Sequence, residues 1–325
     1  MKRLLLVLGV CLALAGPVAA QPIRLIFDTD MGNDIDDAVA LAIIHAFESR
    51  GEGKLLAVTV TKDNRWAAPF IDAMNTFYGR PEIPIGTVRD GKTPEDSDMI
   101  RIPATRRRPD GSLVFPRRLV DGREAPEAVA LLRRILSQEN DGTVTIVQVG
   151  FSTNLARLIA TPADRELVKR KVRLLAMMGG AFPAGEAEYN IKIDIPAAQK
   201  LFAEWPTPIV TSGFEVGNAI LYPGASILRD FSYAPDHPLV DAWNAYQKMP
   251  YDRPTWDPTA VLYALRPASF STSPPGIISG DAEGRTHFTA DANGKHRYLI
   301  LTGDQGPRAL RMMIELASRA PDRRP

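Results

Sequence analysis

Residues Asp28-Thr29-Asp30-Met31-Gly32-Asn33-Asp34-Ile35-Asp36-Asp37 place five aspartates and no basic side chain within ten positions. The run lies between an apolar stretch, Ile23–Phe27, and a helix-like one that begins at Ala38. At an effective dielectric near ~20, two unit charges roughly 5 Å apart repel by about 3 kcal/mol. A chain that takes five carboxylates through one strand-to-helix turn either solvates all of them or holds a cation against them. Hard divalent cations such as calcium and magnesium take carboxylate and carbonyl oxygens as ligands. Aspartates beside a helix start are also common N-caps, a use that fits one or two of Asp34, Asp36 and Asp37.

Apolar runs alternate with helical spacing along the rest of the chain. Strands are expected at Ile23–Phe27, Lys54–Val60, Val144–Val149, Val172–Met178 and Thr207–Thr211. Helices are expected at Ala38–Ser49, Pro69–Tyr78, Pro126–Ser137 and Ala197–Phe202, with a closing helix at Pro307–Ala320. Short apolar strands separated by helices predict an α/β fold, a mostly parallel central sheet flanked by helices on both faces. Gly86–Arg123, rich in Pro, Gly, Arg and Asp, reads as a long insertion or flap. Thr286–Thr289 and His296–Thr302 flank the turn-forming Asp291-Ala292-Asn293-Gly294 and read as a small C-terminal hairpin. No internal repeat is evident.

In open parallel sheets, ligands bind at the carboxyl ends of the strands. Those ends carry the polar clusters here. The first expected strand ends in the aspartate run, the second in Thr61-Lys62-Asp63-Asn64, and the third in Gly150-Phe151-Ser152-Thr153-Asn154. The fourth leads to Gly179-Gly180-Ala181 and then Glu188-Tyr189-Asn190, and the fifth to Ser212-Gly213-Phe214-Glu215. Convergence of five polar segments on one rim is harder to attribute to chance than any single motif.

Met1-Lys2-Arg3, the apolar run Leu4–Ala15 and the small residues Val18-Ala19-Ala20 read as a cleavable signal peptide over residues 1–20. The expectation is therefore a periplasmic or secreted protein, with residues 21–325 forming one catalytic domain and no membrane attachment after cleavage. The single cysteine, Cys11, falls in that leader, so the mature chain has neither disulfide nor thiol chemistry. A formal charge of +1 and arginine runs without interleaved aromatics argue against a nucleic-acid polymer as partner. Hydrophobic residues make up 45%, enough for a large core, and a homo-oligomer stays open.

The same constellation resembles the inosine–uridine nucleoside hydrolase family, with the likeness covering nearly the whole mature chain. Asp28-Thr29-Asp30-Met31-Gly32 and Asp36-Asp37-Ala38 are similar to the two halves of its N-terminal motif. Asn64, Val149-Gly150 with Thr153-Asn154, Met178-Gly179-Gly180 with Glu188-Tyr189-Asn190, and Trp256-Asp257-Pro258 follow in the family's order. The resemblance implies a nucleoside-hydrolase-like fold and a calcium ion held by Asp30, Asp37, Asp257 and the carbonyl of Val149. It implies hydrolysis of a nucleoside or similar small N-riboside by water on that ion, with Asp30 as the base. Asp36, Asn64, Glu188 and Asn190 would hold the sugar, and Trp256 would stack on the nucleobase.

Three departures from the family pattern are visible. Asn33-Asp34 adds two residues to the motif, so Asp34 competes with Asp36 for a place at the metal or sugar. The loop Phe182–Glu186 is short and lacks an additional sugar-binding asparagine. Trp256 stands where many members have a histidine that helps the base depart, with Tyr246 or Tyr251 as further stacking candidates. Plainer uses stay open for several residues: Asn64 in a turn, Glu188 and Asn190 as a solvated pair on one face of a strand, Asp257 at a helix start, and Trp256 in the core. His45 reads as structural, His237 as a substitute acid in a minority reading, and Glu215 as either pocket wall or structural. Two other classes remain: an exported nucleoside- or ribose-binding protein with little turnover, and a haloacid-dehalogenase-like phosphatase. Met31 and the Asp36-Asp37 pair speak against the phosphatase.

Overall fold

A computed structural model describes residues 21–322, so the expected leader lies outside the described residues. Twelve strands are present among them: β1 Ile23–Thr29, β2 Gly53–Lys62, β3 Ile85–Lys92, β4 Val144–Gln148, β5 Val172–Met178, β6 Ile209–Ser212, β7 Leu221–Tyr222, β8 Arg253–Pro254, β9 Ser271–Thr272, β10 Gly276–Gly280, β11 Thr286–Ala290 and β12 His296–Ile300. Ten of these build one sheet in the order β11-β10-β12-β6-β5-β4-β1-β2-β3, with β9 paired to β12 outside that path. Pairing is parallel from β3 through β6 and on to β12, whereas β10 and β11 run antiparallel at the far edge. The α/β fold expected from the sequence is therefore present.

The order β3-β2-β1-β4-β5-β6 reverses direction between β1 and β4. In doubly wound sheets this reversal opens a crevice beyond the carboxyl ends of the two strands. Asp28 of β1 pairs with Gln148 of β4, so Asp30 and Val149 leave the sheet side by side at that crevice. Close approach here requires glycine at position 150: a Cβ would stand 2.4 Å from Thr61 Oγ1 and 2.6 Å from the Asp30 amide nitrogen.

Alternate side chains of β1 serve opposite faces, as the pleat of a strand dictates. Leu25 and Phe27 pack on helix Asp36–Ser49 and its neighbours, while Ile26 packs with Val129, Leu132 and Leu136 of helix Ala128–Gln138. Helix Asp36–Ser49 is buried from Asp36 through Phe47, the behaviour of a helix with almost no polar face. Its first turn contains Asp36 and Asp37, where negative charge suits the helix dipole.

Two expectations are corrected. The region read as a flap begins with β3, which pairs with β2, and continues through helix Asp98–Thr105. Its short apolar segment gives way to the charged residues Arg89 and Asp90, which hid the strand. The C-terminal hairpin joins β10 to β11 rather than β11 to β12. The turn at Asp291 does form, but β10 inserts between its two flanking strands, and β12 instead extends the parallel sheet beside β6. Helix Gln305–Ala317 closes the fold, and no helix among the described residues is long and apolar enough to cross a membrane.

Candidate active site

A cavity of about 550 Å³ opens over the crevice. Asp30, Asp36, Asp37, Val149, Glu188, Asn190, Trp256 and Asp257 all line it. Asp257 arrives from the start of helix Trp256–Leu265, and its backbone N–H donates to Asp36 Oδ2 at 2.9 Å, tying two distant segments together.

Asp36, Asp37 and Asp257 each direct a carboxylate oxygen to within 4.8 Å of the others, and all three are buried. Thr29 Oγ1 donates to Asp37 Oδ1, while Asp37 Oδ2 is buried without a hydrogen-bond partner. Burial, then repulsion from Asp30 and Asp36, pushes the Asp37 carboxyl well above its ordinary range; burial with repulsion from Asp36 and Asp37 does the same to Asp257, and burial with repulsion from Asp34 to Asp36. A divalent cation is the group that lets such a trio ionise together. An all-oxygen set with an unused buried acceptor fits a hard cation, calcium or magnesium.

The trio differs in membership from the expected ligand set. Asp36, assigned to the sugar by resemblance, stands among the clustered carboxylates, and Asp30 falls outside them. Asp30 Oδ2 accepts from Asn33 Nδ2 at 2.8 Å, and Asn33 Oδ1 accepts from the buried Lys62 ammonium at 2.9 Å. Lys62 also donates to the carbonyl of Thr93 at 2.7 Å. Burial raises the Asp30 carboxyl to about 6, against the pull of the Asn33 hydrogen bond. The inserted asparagine thus couples the first strand's aspartate to a lysine at the end of the second.

Beneath this layer Asp28 is fully buried and stays off the pocket wall. Thr59 Oγ1 and Asn154 Nδ2 donate to its Oδ1 at 2.6 and 2.9 Å, and its carbonyl accepts from the Val149 amide at 2.7 Å. It braces the turn. The Val149 carbonyl in turn accepts from Asn190 Nδ2 at 2.7 Å.

Glu188 and Asn190 both line the cavity from the start of a short helix, not from one face of a strand as the plainer reading had it. Glu188 caps the short helix Tyr189–Ile193, accepting from the amides of Asn190 at 2.9 Å, Ile191 at 3.2 Å and Gly180 at 3.0 Å. Burial nevertheless raises its carboxyl to about 7. Asn64 is placed outside the pocket. Its amide donates to the carbonyls of Pro94 and Glu95 and to Asp96, and its oxygen accepts from the Trp66 amide. All of this ties it to the loop after β3, the use of a turn residue. Glu215 accepts from the Phe182 amide at 3.1 Å, a structural use.

The outer wall joins Trp256, Tyr246 and Asp34, which the sequence singled out, to Arg253, which it did not. Trp256 stacks on Phe214 with centroids 5.5 Å apart, and its indole N–H donates to the Phe214 carbonyl at 3.1 Å. The Arg253 guanidinium lies 5.1 Å from the Trp256 ring and 5.2 Å from that of Tyr246. It pairs through Nε and Nη2 with Asp34, the other inserted residue. Asn33, Asp34, Phe214 and Arg253 all line the cavity, yet only the two-residue insertion gave any signal.

No histidine lines the cavity. His45 is bonded to Asn75 inside the first helix layer, and His237 caps helix Pro238–Tyr246 among Phe77, Phe231 and Tyr233. His287 pairs with Asp281, and His296 accepts from the Ile278 amide. Burial lowers both His45 and His237 to about 3, so both are neutral, and the reading of His237 as a substitute acid has no geometric support.

A doubly wound sheet that delivers buried carboxylates from several strand ends to one cavity defines the class, an α/β enzyme built over a floor of buried carboxylates. The model of the family described as "Inosine-uridine preferring nucleoside hydrolase" matches residues 25–317, and the chain belongs to that family of hydrolases acting on N-glycosyl bonds. The inosine-uridine preferring nucleoside hydrolase of Crithidia fasciculata is 26% identical over 279 residues, 78% of this chain and 82% of that protein. The pyrimidine-specific ribonucleoside hydrolase RihA of a Shewanella species (strain ANA-3) is 27% identical over 284 residues, 76% of this chain and 79% of its own length. Among solved structures, a purine-preferring ribonucleoside hydrolase from Gardnerella vaginalis superposes with a TM-score of 0.70 at 20% identity, covering 91% of this chain and 98% of that one.

Proposed function

We propose that this protein is an exported, calcium-dependent N-ribohydrolase that releases free base and ribose from a ribonucleoside or similar small N-riboside. The observation that carries the reading is the buried trio Asp36, Asp37 and Asp257, with its unpaired oxygen, at the floor of a cavity large enough for a nucleoside. Asp30, Asp37, Asp257 and the Val149 carbonyl, with Asp36 close by, are the groups that would hold the ion. When bound, such an ion lowers the pKa of water and fixes the sugar's oxygens. Calcium is favoured because six to eight oxygens from carboxylates, a carbonyl and the sugar suit its flexible coordination.

Asp30 takes the proton of the attacking water. Its anchorage through Asn33 to Lys62 fixes its orientation, and its position near the trio keeps the charge available where positive charge develops on the sugar. Asp36, beside the ion, and Asn190 would hold sugar hydroxyls, and Glu188 shapes that end of the cavity by capping the helix that carries Asn190. Trp256, stacked on Phe214, offers an aromatic face to the base, a contact tolerant of base identity. Residues 1–20 act as a leader, directing residues 21–325 to the periplasm or the medium.

Purified mature protein is incubated with a nucleoside panel and a generic phosphoester, with and without a calcium chelator, and ribose and phosphate are assayed. Ribose release that stops with chelation supports the reading. Phosphate release without ribose would overturn it in favour of a phosphatase, and tight nucleoside binding without ribose in favour of a binding protein.

A further inference from the structure

The chain's four histidines are all engaged away from the cavity, so the imidazole that could assist a departing base is missing here. Of the groups that line the outer wall, Arg253 is the one cation held in place by its surroundings. Two aromatic rings flank its guanidinium, and Asp34 fixes it through Nε and Nη2. Among the described residues, Nη1 has no protein acceptor. Lys192, the other lining cation, is exposed at the rim. Arginine does not give up its proton, but it donates fixed hydrogen bonds to an oxo or anionic acceptor.

Resting on the N-ribohydrolase reading, we propose that Arg253 is the catalytic residue that stabilises the leaving base, and that the inserted Asp34 is its positioning residue. The substrate class is then ribosides of oxo-heterocycles, purine or pyrimidine, whose ring carries negative charge as it leaves. The C1′–N bond breaks with its electron pair passing to the base nitrogen. A C1′–O bond forms to water, whose proton passes to Asp30, and the departing anion, held by the guanidinium, takes a proton from solvent. Arg253 stays protonated throughout. The insertion that separates this motif from the family pattern supplies, in Asp34, the carboxylate that aims the guanidinium at the base side of the cavity.

The test compares inosine and uridine with 4-nitrophenyl β-ribofuranoside, whose phenolate leaves as an already stable anion. Arg253→Met is expected to lower kcat on both nucleosides by about 10²–10³-fold, the scale for one charge-stabilising donor. The fall on the nitrophenyl riboside should stay under roughly 5-fold, which shows that fold and sugar binding survive. Arg253→Lys should recover part of the nucleoside rate, and Asp34→Asn should show the same substrate bias at smaller size. Because Arg253→Met leaves Asp34 without its partner, the double variant Asp34→Asn/Arg253→Met is run beside it and should keep the bias. Equal losses on all three substrates, or none on any, overturn the role of Arg253 alone. Absence of ribose release from every substrate by the unaltered protein overturns the N-ribohydrolase reading and this role with it.

Discussion

The floor of the cavity and its outer wall are built in different ways. The floor comes from strand ends and a helix start. Asp30 follows β1, Val149 follows β4, and Asp257 is locked to Asp36 by a backbone hydrogen bond, all of it buried. The wall is assembled from side chains far apart in sequence, such as Asp34 with Arg253 and Phe214 with Trp256, and it is half-exposed, Phe214 keeping 44% of its surface. Sheet topology fixes the first arrangement, and side-chain packing fixes the second. The sugar-side chemistry is therefore expected to be common to the fold, and the base-side chemistry particular to this chain.

Replacing a floor carboxylate should have the largest effect. Asp37→Asn is expected to cut kcat/KM by about 10³-fold or more on every riboside and to abolish calcium-induced thermal stabilisation. A loss that varied with the base would blur the distinction between floor and wall.

Removing the ion tests the same floor through pH. Burial raises Asp28 to about 7 and Asp30 to about 6, so the fold holds these protons more tightly than the unfolded chain does. Their stabilisation is complete below about pH 4 and is lost as pH rises through about 6–7. Calcium competes with the proton on Asp30, which lines the cavity, and not with the one on Asp28 beneath it, so its Tm increase should be larger near about pH 8 than near about pH 5. At a hundredfold excess over Kd the shift corresponds to about 2.7 kcal/mol. His45 and His237, lowered to about 3, act in the opposite direction below about pH 6.5, and the difference between calcium and chelator cancels their contribution. A pH-independent calcium shift would remove the carboxylates from the binding site.

Trp256→Ala should lower kcat/KM by roughly 5–150-fold, the scale of one base–aromatic stack, and by different factors for purine and pyrimidine ribosides. Equal factors would make Trp256 part of the floor's machinery. The smallest kinetic effect is expected at Asn64, whose amide holds the loop 94–96. Asn64→Ala should cost about 1–3 kcal/mol of stability and less than ~10-fold in kcat/KM. A much larger kinetic loss with unchanged stability would return Asn64 to the sugar.

The same contrast explains what could be read in advance. Alternating apolar runs and helical spacing showed the parallel sheet, and the topology rule placed Asp30, Val149 and Glu188 on one rim. β10 was missed because Gly276–Gly280 is short and follows two prolines, so the hairpin was assigned to the wrong pair of strands. Asn64 is harder to read, because an asparagine at a strand end looks the same whether it faces a ligand or a neighbouring loop, and here its amide meets the loop 94–96. Lys62 and Arg253 were missed for a related reason. Their partners, Asn33 and Asp34, lie 29 and 219 residues away, and nothing local announces such pairs.

The carboxylate floor should hold one divalent cation on which N-riboside cleavage depends. Calcium titrated into chelator-stripped protein, with heat and ribose release recorded on the same samples, tests it most directly. One ion should bind per chain, ribose release should rise in step with occupancy, and neither signal should appear in Asp37→Asn at the same concentrations. Full ribose release with no ion bound, or undiminished calcium binding by Asp37→Asn, would contradict it.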